Sequence, residues 1–201
     1  VRVSADDVAI ADYAAKAAID ASFRARRGGT DDSRRVSYFG TMLDALGVPE
    51  AEHPPILAAI LAEDRRACLW RVITPGTIEV LTALRERGFA LAVVSNADGR
   101  VEGNLRAGGL AEHFDTIVDS FVVGFEKPDP RIFRPALDAC GADASEAVFV
   151  GDIYEIDVMG ARAAGILPIL IDPLERYGDI DCLRIEHLRR LLDLLPARAA
   201  R

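Results

Sequence analysis

Two carboxylates follow a short apolar run in the segment VFVGDIYEID, residues 148–157, and such a pair could bind a metal ion. Asp152 comes directly after Gly151, and Asp157 lies five positions further along the chain. Mg²⁺ is a hard cation that prefers carboxylate oxygen and water in octahedral geometry, so paired aspartates are natural ligands for it. Gly151 would allow another group to approach the backbone closely at a tight turn. Asp157 taken alone could instead be an acidic residue at a helix N-terminus, which the macrodipole favours.

Polar residues also follow two other apolar segments. Ser95 and Asn96 end the segment FALAVVSN, and Lys127 lies in the loop GFEKPDP just before a predicted helix. A serine hydroxyl and a neighbouring amide can hold phosphate oxygens, and a lysine ammonium can neutralise phosphoryl charge and keep a nearby carboxylate ionised. Taken singly, Ser95 could be a helix cap and Lys127 a solvated loop residue. The agreement between three separate junctions favours a site that handles a phosphate with Mg²⁺.

The elements that would position these residues alternate between apolar strands and helices after Trp70. Strands that are apolar throughout and alternate with helices indicate a parallel sheet covered on both faces. In a doubly wound parallel sheet, ligands bind beyond the carboxyl ends of the strands. We therefore predict an α/β domain over residues 73–201. Its predicted strands are FALAVVSN, FDTIVDS, AVFVGD and LPILID, and its predicted helices are IEVLTALRERG, residues 99–108, PRIFRPALDACG and DVMGARAAG.

The first 72 residues are predicted to form a separate, all-helical domain. Ser4 and Asp7 have the spacing of a capping box, in which the serine accepts from the amide three residues on and the acid reaches back. An alanine-rich helix with apolar residues at helical spacing follows this box and ends near Gly28. A second helix, VSYFGTMLDALG, should stop at Gly47, and a third lies within residues 51–69.

The composition excludes several classes of function. The 201 residues are 50% hydrophobic and carry a net charge of −8 without a clustered basic region, which argues against a nucleic-acid binder. No apolar run approaches the roughly 20 residues that a membrane span needs. The three cysteines are far apart and the histidines are scattered, so we expect reduced thiols, no histidine-based metal site and a cytoplasmic protein. No feature of the sequence predicts an oligomeric state.

The three junctions together resemble a known family. The apolar run ending in Ser95-Asn96, the lysine of GFEKPDPRIF and the acidic GDIYEID are similar, in order and spacing, to the second, third and fourth motifs of the haloacid dehalogenase-like (HAD) hydrolase superfamily. The helical N-terminal domain resembles the cap of that superfamily. The resemblance implies that Ser95 hydrogen-bonds the transferring phosphoryl group and Asn96 orients the substrate. Lys127 would stabilise the nucleophile and the phosphoryl charge, and Asp152, helped by Asp157, would hold Mg²⁺.

The resemblance implies a Mg²⁺-dependent phosphatase that acts on a small phosphorylated metabolite through an aspartyl-phosphate intermediate. The dehalogenase branch needs no metal and usually lacks the G-D-x-x-x-x-D form of the fourth motif, so the spelling GDIYEID favours the phosphatase branch. A metal-free 2-haloacid dehalogenase-type hydrolase is the alternative within the same class. A non-catalytic binding or regulatory protein that keeps the sheet is the alternative from another class.

The first motif of the superfamily is not found in the sequence. That motif is an apolar strand ending in Asp-x-Asp, whose first aspartate is the nucleophile and whose second is the general acid and base. Asp6-Asp7 lies in a capping sequence, and Asp179-Ile180-Asp181 follows no apolar strand. We therefore expect a chain that is truncated at its N-terminus, lacks its central strand and is inactive alone. Without a third carboxylate, the aspartate pair should bind Mg²⁺ weakly, and two unpaired strand edges should leave the fold marginally stable.

Overall fold

The structure is a computed structural model in which residues 2–29 and 31–197 are described. The chain divides into two compact units, with the boundary between Trp70 and Arg71. Among the described residues, the first unit contains helices and no strand, and every strand lies in the second unit. The assignment of residues 1–72 as a cap domain and 73–201 as a core domain stays a prediction.

The described residues of the first unit form three α-helices: α1 (Ala5–Arg24), α2 (Asp31–Ala45) and α3 (His53–Arg66). The predicted capping box is present at the start of α1. The Asp7 amide donates to the Ser4 hydroxyl at 3.1 Å, and the Ser4 amide donates to the Asp7 carboxylate at 2.9 Å. Hydrogen bonds from the Ser4 side chain and then its amide hold the pKa of Asp7 below its ordinary value.

The helices of the first unit pack through small and aromatic side chains. Ala11, Ala15 and Ile19 follow helical spacing and are buried where α1 packs on α2. Asp64 of α3 is also buried, and it accepts hydrogen bonds from the Arg35 guanidinium at 3.0 Å and the Leu69 amide at 3.2 Å. The buried charge is therefore paired, as burial in a low-dielectric interior requires.

The second unit is built on parallel strands, which confirms the predicted α/β class. Strands β1 (Ala92–Ser95) and β2 (Thr116–Asp119) form one parallel pair. Strands β3 (Val148–Gly151), β4 (Leu167–Ile171) and β5 (Leu183–Ile185) form a second sheet, with β4 in the middle. The four predicted strands therefore all form, although each is shorter than its predicted segment. The fifth strand was not predicted, because a three-residue segment containing an arginine carries little pattern.

Helices connect the strands, and two of them are preceded by a helical turn of another type that was not predicted. The segment from Pro130 begins as a 3₁₀ turn and becomes α-helical only at Arg134. Pro135 has no N–H to donate to the carbonyl four residues earlier, so the α-helical pattern cannot run through it. The helix predicted from Asp157 is preceded by a π turn over Tyr154–Val158. The helices are α4 (Thr77–Glu86), α5 (Val101–Ala107), α6 (Ser120–Val123), α7 (Arg134–Cys140), α8 (Met159–Ala163) and α9 (Leu191–Leu194).

Strand burial is uneven between the two sheets. Residues 168–170 of β4 are buried, as a strand covered on both faces should be. All of β3 is only half-buried, and in β1 only Val94 is buried. β1 and β3 are therefore less buried than β4. Each of these two strands has one hydrogen-bonded neighbour among the described residues, as an edge strand does. The prediction that a central strand is missing stays a prediction.

Two apolar clusters hold the second unit together. One lies where β1 and β2 meet α7 and α8, and the other lies where β4 and β5 meet α4 and α9. The first contains Val94, Val118, Ile132, Phe133, Ala136, Ala161 and Ile166. The second contains Val80, Leu84, Ile169, Ile185 and Leu191.

The cysteines and the apolar character of the helices can also be described from the structure. Cys68, Cys140 and Cys182 are free and half-buried, and burial raises the thiol pKa of Cys140 and of Cys182. These two thiols therefore stay protonated at neutral pH. No helix in the described part of the chain is long and apolar enough to span a bilayer.

The second cluster should contribute strongly to stability, and β4 offers a matched test. We expect Ile169→Ala to lower the free energy of unfolding by about 2–5 kcal/mol, because it opens a cavity at a side chain that is 1% exposed. Leu167→Ala, in the same strand but at a largely exposed position, should change it by less than about 0.5 kcal/mol. Urea denaturation of the three proteins measures both values, and equal losses would show that the cluster does not carry the fold.

Candidate active site

The amide side chain of Asn96 connects the end of β1 to the loop that contains Lys127. Its Nδ2 donates to the Lys127 carbonyl at 2.9 Å, and its Oδ1 accepts from the Lys127 amide at 2.7 Å. Both groups of the Asn96 side chain are therefore bonded to one residue of the neighbouring loop. The structure thus gives Asn96 a positioning contact with Lys127, while its predicted role in orienting a substrate stays a prediction.

The Lys127 side chain forms a buried ion pair with Asp157. The Lys127 Nζ lies 2.8 Å from Asp157 Oδ1, and the two side chains are 11% and 5% exposed. The ammonium also lies 4.9 Å from the centre of the Phe149 ring, within cation–π range. Charge-assisted hydrogen bonds of this kind are strong, and they hold a flexible side chain in one conformation. Lys127 is therefore fixed with its charge at the carboxyl edge of the sheet.

The second carboxylate oxygen of Asp157 accepts two main-chain hydrogen bonds. The Asp152 and Ile153 amides both donate to Asp157 Oδ2, each at 2.9 Å. Both oxygens of Asp157 are thus bonded within the protein, one to Lys127 and the other to the turn after β3. In this geometry Asp157 organises the site, and its predicted role as a Mg²⁺ ligand stays a prediction. The sequence placed Asp157 in the site but gave no sign of this use.

Gly151 makes this arrangement possible. A Cβ at this position would overlap the Cβ and Cγ atoms of Asp157 and would lie 2.6 Å from its Oδ2. The carboxylate therefore occupies the space next to the glycine that any other side chain would need. The expectation that Gly151 allows close approach is confirmed, and the approaching group is the Asp157 side chain.

Asp152 is half-buried at the end of β3, and its main chain is bonded on both sides. Its N–H donates to Asp157, and its carbonyl accepts from the Tyr177 hydroxyl at 2.9 Å. Tyr177 was not among the predicted site residues. It lies 25 positions further along the chain in a segment with no strand or helix pattern, so only the tertiary fold reveals the contact.

Ser95 ends β1 next to Asn96, and the loop that follows is held by β2. The Asp119 carboxylate is buried, and it accepts from the Gly99 amide at 2.9 Å and the Phe121 amide at 3.0 Å. The Ser120 hydroxyl accepts from the Ala97 amide at 3.0 Å and donates to its carbonyl at 3.1 Å. These two neighbours set the path of the chain after Ser95. Neither residue was predicted for the site, although Asp119 ends an apolar strand in much the same place as Asp152 follows one.

The described residues fit Mg²⁺ through one direct carboxylate. Within residues 2–29 and 31–197, no group of three or more His, Cys, Asp or Glu side chains is placed to hold a metal ion. Mg²⁺ keeps several waters and is usually bound by one or two carboxylates together with substrate phosphate oxygens, so Asp152 alone is a partial but chemically suitable donor. Asp157 would contribute by holding the Asp152 and Ile153 amides in place.

Comparison with known proteins agrees with the resemblance seen in the motifs. Residues 5–165 match the haloacid dehalogenase-like hydrolase family. The chain therefore belongs to the family of HAD-like hydrolases, as the motifs predicted.

Individual relatives are consistent with this assignment. The chain is 40% identical over 159 residues to human haloacid dehalogenase-like hydrolase domain-containing protein 3. The matched region covers 75% of this chain and 61% of the relative. The chain is also 38% identical over 152 residues to a phosphoserine phosphatase of Thermus thermophilus, covering 74% and 59% respectively. The chain thus spans about three-fifths of the length of these relatives. In fold it is similar to the HAD-hydrolase YfnB of Bacillus subtilis bound to magnesium, with a TM-score of 0.70, 20% identity and 97% and 85% coverage of the two chains.

The close packing of Asp157 on Gly151 gives a direct test of the site. We expect Gly151→Ala to displace the Asp157 carboxylate, because the new methyl group would occupy its place. The Asp152 and Ile153 amides should then exchange with solvent at least about tenfold faster, since each loses a hydrogen bond to a charged group. Hydrogen exchange followed by NMR measures this change.

Gly103→Ala serves as the matched control. Gly103 lies inside α5, where an added Cβ meets no atom within 4 Å, and alanine is favoured over glycine in a helix interior. This variant should leave the exchange of the Asp152 and Ile153 amides unchanged. An equal effect of the two substitutions would contradict the proposed packing.

Proposed function

We propose that the protein is a Mg²⁺-dependent phosphatase of the HAD family that acts on a small phosphorylated metabolite. The observation that carries the proposal is the buried pair of Lys127 and Asp157, which lies next to Asp152 at the carboxyl edge of the parallel strands. A fixed cation next to a carboxylate that could bind Mg²⁺ suits a phosphate group, because a phosphate is anionic and can itself coordinate the metal. Membership of the family and the similarity to a phosphatase support the same reading.

In this proposal each residue has a separate task. The Lys127 ammonium interacts with the negative charge of the phosphoryl group, and it is already held in place by Asp157 and Asn96. Because the cation is fixed before the reaction, little reorganisation is needed in the transition state. The Ser95 hydroxyl hydrogen-bonds a phosphate oxygen. Asp152 would hold Mg²⁺, which supplies further neutralisation of phosphate charge when it is bound.

We propose that the nucleophile of this reaction lies outside these 201 residues. An aspartyl-phosphate route needs a carboxylate that attacks phosphorus, and the sequence has no Asp-x-Asp at the end of an apolar strand. The edges of β1 and β3, each paired on one side among the described residues, would suit an added strand that carries this motif. We therefore propose that the 201-residue chain alone does not turn over substrate.

The relatives and the site both support the proposed substrate class. The Thermus thermophilus relative is named for its action on phosphoserine, a small phosphate monoester. Every group proposed to contact the ligand from this chain is suited to a phosphate oxygen, so the second unit would recognise the phosphate alone. We propose that the helical first unit acts as the cap and selects the remainder of the metabolite.

The test compares the 201-residue chain with a chain extended by the residues encoded directly upstream, where we expect a strand ending in Asp-x-Asp. With Mg²⁺ and a panel of small phosphate monoesters that includes phosphoserine, the extended chain should release inorganic phosphate and the 201-residue chain should not. A chelator should abolish the activity, and Asn in place of the first aspartate of the added motif should do the same. Robust Mg²⁺-dependent turnover by the 201-residue chain would overturn the assignment of the nucleophile.

Lys127 can be tested in the extended chain. We expect Lys127→Met to lower kcat by about 10²–10³-fold, because it removes a fixed cation from the developing charge. Arg134→Met removes an equally charged group from a surface pair with Asp138, at a side chain that is 76% exposed, and should leave kcat unchanged. Steady-state phosphate release measures both values, and equal values for Lys127→Met and the unsubstituted enzyme would contradict the role of Lys127.

The same assays separate the rival functions. Release of halide from a 2-haloacid that survives a chelator would support the metal-free dehalogenase and overturn the phosphatase. If the extended chain binds phosphate but hydrolyses none of the phosphate monoesters in the panel, the result would support the non-catalytic binding protein.

A further inference from the structure

The main chain of Asp152 is held on both sides of its Cα. The N–H group donates to Asp157 Oδ2 at 2.9 Å, and the carbonyl accepts from the Tyr177 hydroxyl at 2.9 Å. The two hydrogen bonds fix the two peptide planes that flank the residue. The Ile153 N–H, in the same peptide group as the Asp152 carbonyl, also donates to Asp157 Oδ2 at 2.9 Å. The direction in which the Asp152 side chain leaves the backbone is therefore set by two contacts from Asp157 and one from Tyr177.

Tyr177 is delivered to this position by a turn built around Asp172, the residue that follows β4. The Asp172 carboxylate accepts from the Arg176 amide at 3.0 Å and the Tyr177 amide at 3.2 Å. The Asp172 carbonyl accepts from the Glu175 amide at 3.1 Å. Glu175 has a φ of 53°, a left-handed conformation that is uncommon for a residue with a side chain. The surrounding hydrogen bonds impose this conformation, so the turn is specified tightly.

The turn is attached to the sheet and not only to itself. The Asp172 side chain is 1% exposed and lies 3.3 Å from the Arg184 guanidinium on β5. The Asp172 amide donates to the Ile185 carbonyl at 2.8 Å, which continues the pairing of β4 with β5. Tyr177 is thus connected through Asp172 to two neighbouring strands. A rigid support of this kind allows one hydroxyl to fix a distant carbonyl.

A second contact joins the same segment to the turn after β3. The Tyr154 hydroxyl donates to Asp181 Oδ1 at 2.6 Å, and the Arg162 guanidinium bonds to both Tyr154 and Asp181. The hydrogen bond to Asp181 raises the pKa of the Tyr154 phenol above its ordinary value. This cluster is exposed, so solvent weakens its electrostatic contribution. The Tyr177 contact is the more buried of the two, and it touches Asp152 directly.

We infer that Tyr177 is a positioning residue for Asp152: its hydroxyl fixes the Asp152 carbonyl and thereby aims the carboxylate that would hold Mg²⁺. The part concerning Mg²⁺ rests on the proposed function, while the part concerning the main chain does not. Groups that orient a metal ligand typically change metal affinity 10–100-fold when they are removed. Removing the Tyr177 hydroxyl should therefore change both the Mg²⁺ affinity and the hydrogen exchange of the main chain at Asp152 and Ile153.

The test is Tyr177→Phe in the 201-residue chain, which removes the hydroxyl and keeps the ring. The Ile153 N–H belongs to the same peptide group as the Asp152 carbonyl, so its hydrogen exchange should become about two- to tenfold faster, as expected for the loss of one neutral hydrogen bond. The affinity for Mg²⁺ alone, measured by NMR titration, should fall about tenfold. In the enzyme extended to include the nucleophile, the Mg²⁺ concentration for half-maximal activity should rise by the same factor.

Tyr38→Phe is the matched control, because it removes a hydroxyl that bonds to Asp12 in the first unit. It should change neither Ile153 exchange nor Mg²⁺ affinity. If Tyr177→Phe lowers the melting temperature too far for these measurements, Asp172→Asn tests the same connection. It keeps the shape of the side chain and one acceptor oxygen, and it should change both readouts in the same direction.

Different results would overturn the positioning role of Tyr177 and the assignment of Asp152 as a Mg²⁺ ligand. Unchanged Ile153 exchange in Tyr177→Phe, or an equal change in Tyr38→Phe, would overturn the positioning role. Absence of Mg²⁺ binding by the unsubstituted 201-residue chain and by the extended enzyme would overturn the metal assignment in the proposed function. In that case, faster Ile153 exchange in Tyr177→Phe would still support the positioning of Asp152.

Discussion

Buried aspartates that accept main-chain N–H groups organise the loops at the carboxyl edge of the strands. Asp119 holds the loop after β1, Asp157 holds the turn after β3, and Asp172 holds the turn after β4. Loop amides have no partner in a strand ladder, and an unpaired buried amide is costly. A hydrogen bond to a charged acceptor contributes about 1.5–3 kcal/mol, so one carboxylate with two or three such bonds can fix a whole turn.

Asp157 is the aspartate of this set that organises the candidate site. Asp157 uses one oxygen for the turn that presents Asp152 and the other for Lys127, so the positions of a carboxylate and a cation depend on one side chain. Removing one partner from a buried ion pair costs about 3–5 kcal/mol, because the remaining charge is uncompensated. Gly151 is needed because the Asp157 carboxylate fills the space beside it. Structure and proposed chemistry therefore rest on the same contact.

The sequence predicted the α/β class because four apolar runs of strand length alternate with helical patterns. It also predicted that the polar residues after those runs lie together, and Asn96 does contact Lys127, which in turn contacts Asp157. Their role as an active site stays a prediction. Asp119 also ends an apolar strand, but it is not part of a recognisable chemical motif and was not predicted for the site. The hydrogen bonds of Asp157 could not be predicted, because they depend on the π turn over Tyr154–Val158, and no local sequence pattern predicts such a turn. Tyr177 is placed by a tertiary contact from a segment without periodicity. The short β5 was missed for the same reason.

The most direct test of this account is residue-resolved hydrogen exchange of Asp119→Asn, Asp157→Asn and Asp172→Asn against the unsubstituted chain. Asparagine keeps the shape but removes the charge and replaces one acceptor oxygen with a donor. We predict that Asp119→Asn and Asp157→Asn each speed exchange in their own loop alone. Asp172→Asn should speed exchange in its own turn and, through Tyr177, that of Ile153, and should leave the loop after β1 unchanged. Uniform acceleration in all three loops, or no acceleration in any, would contradict it. The amides to follow are Gly99 and Phe121 for Asp119, Asp152 and Ile153 for Asp157, and Arg176 and Tyr177 for Asp172.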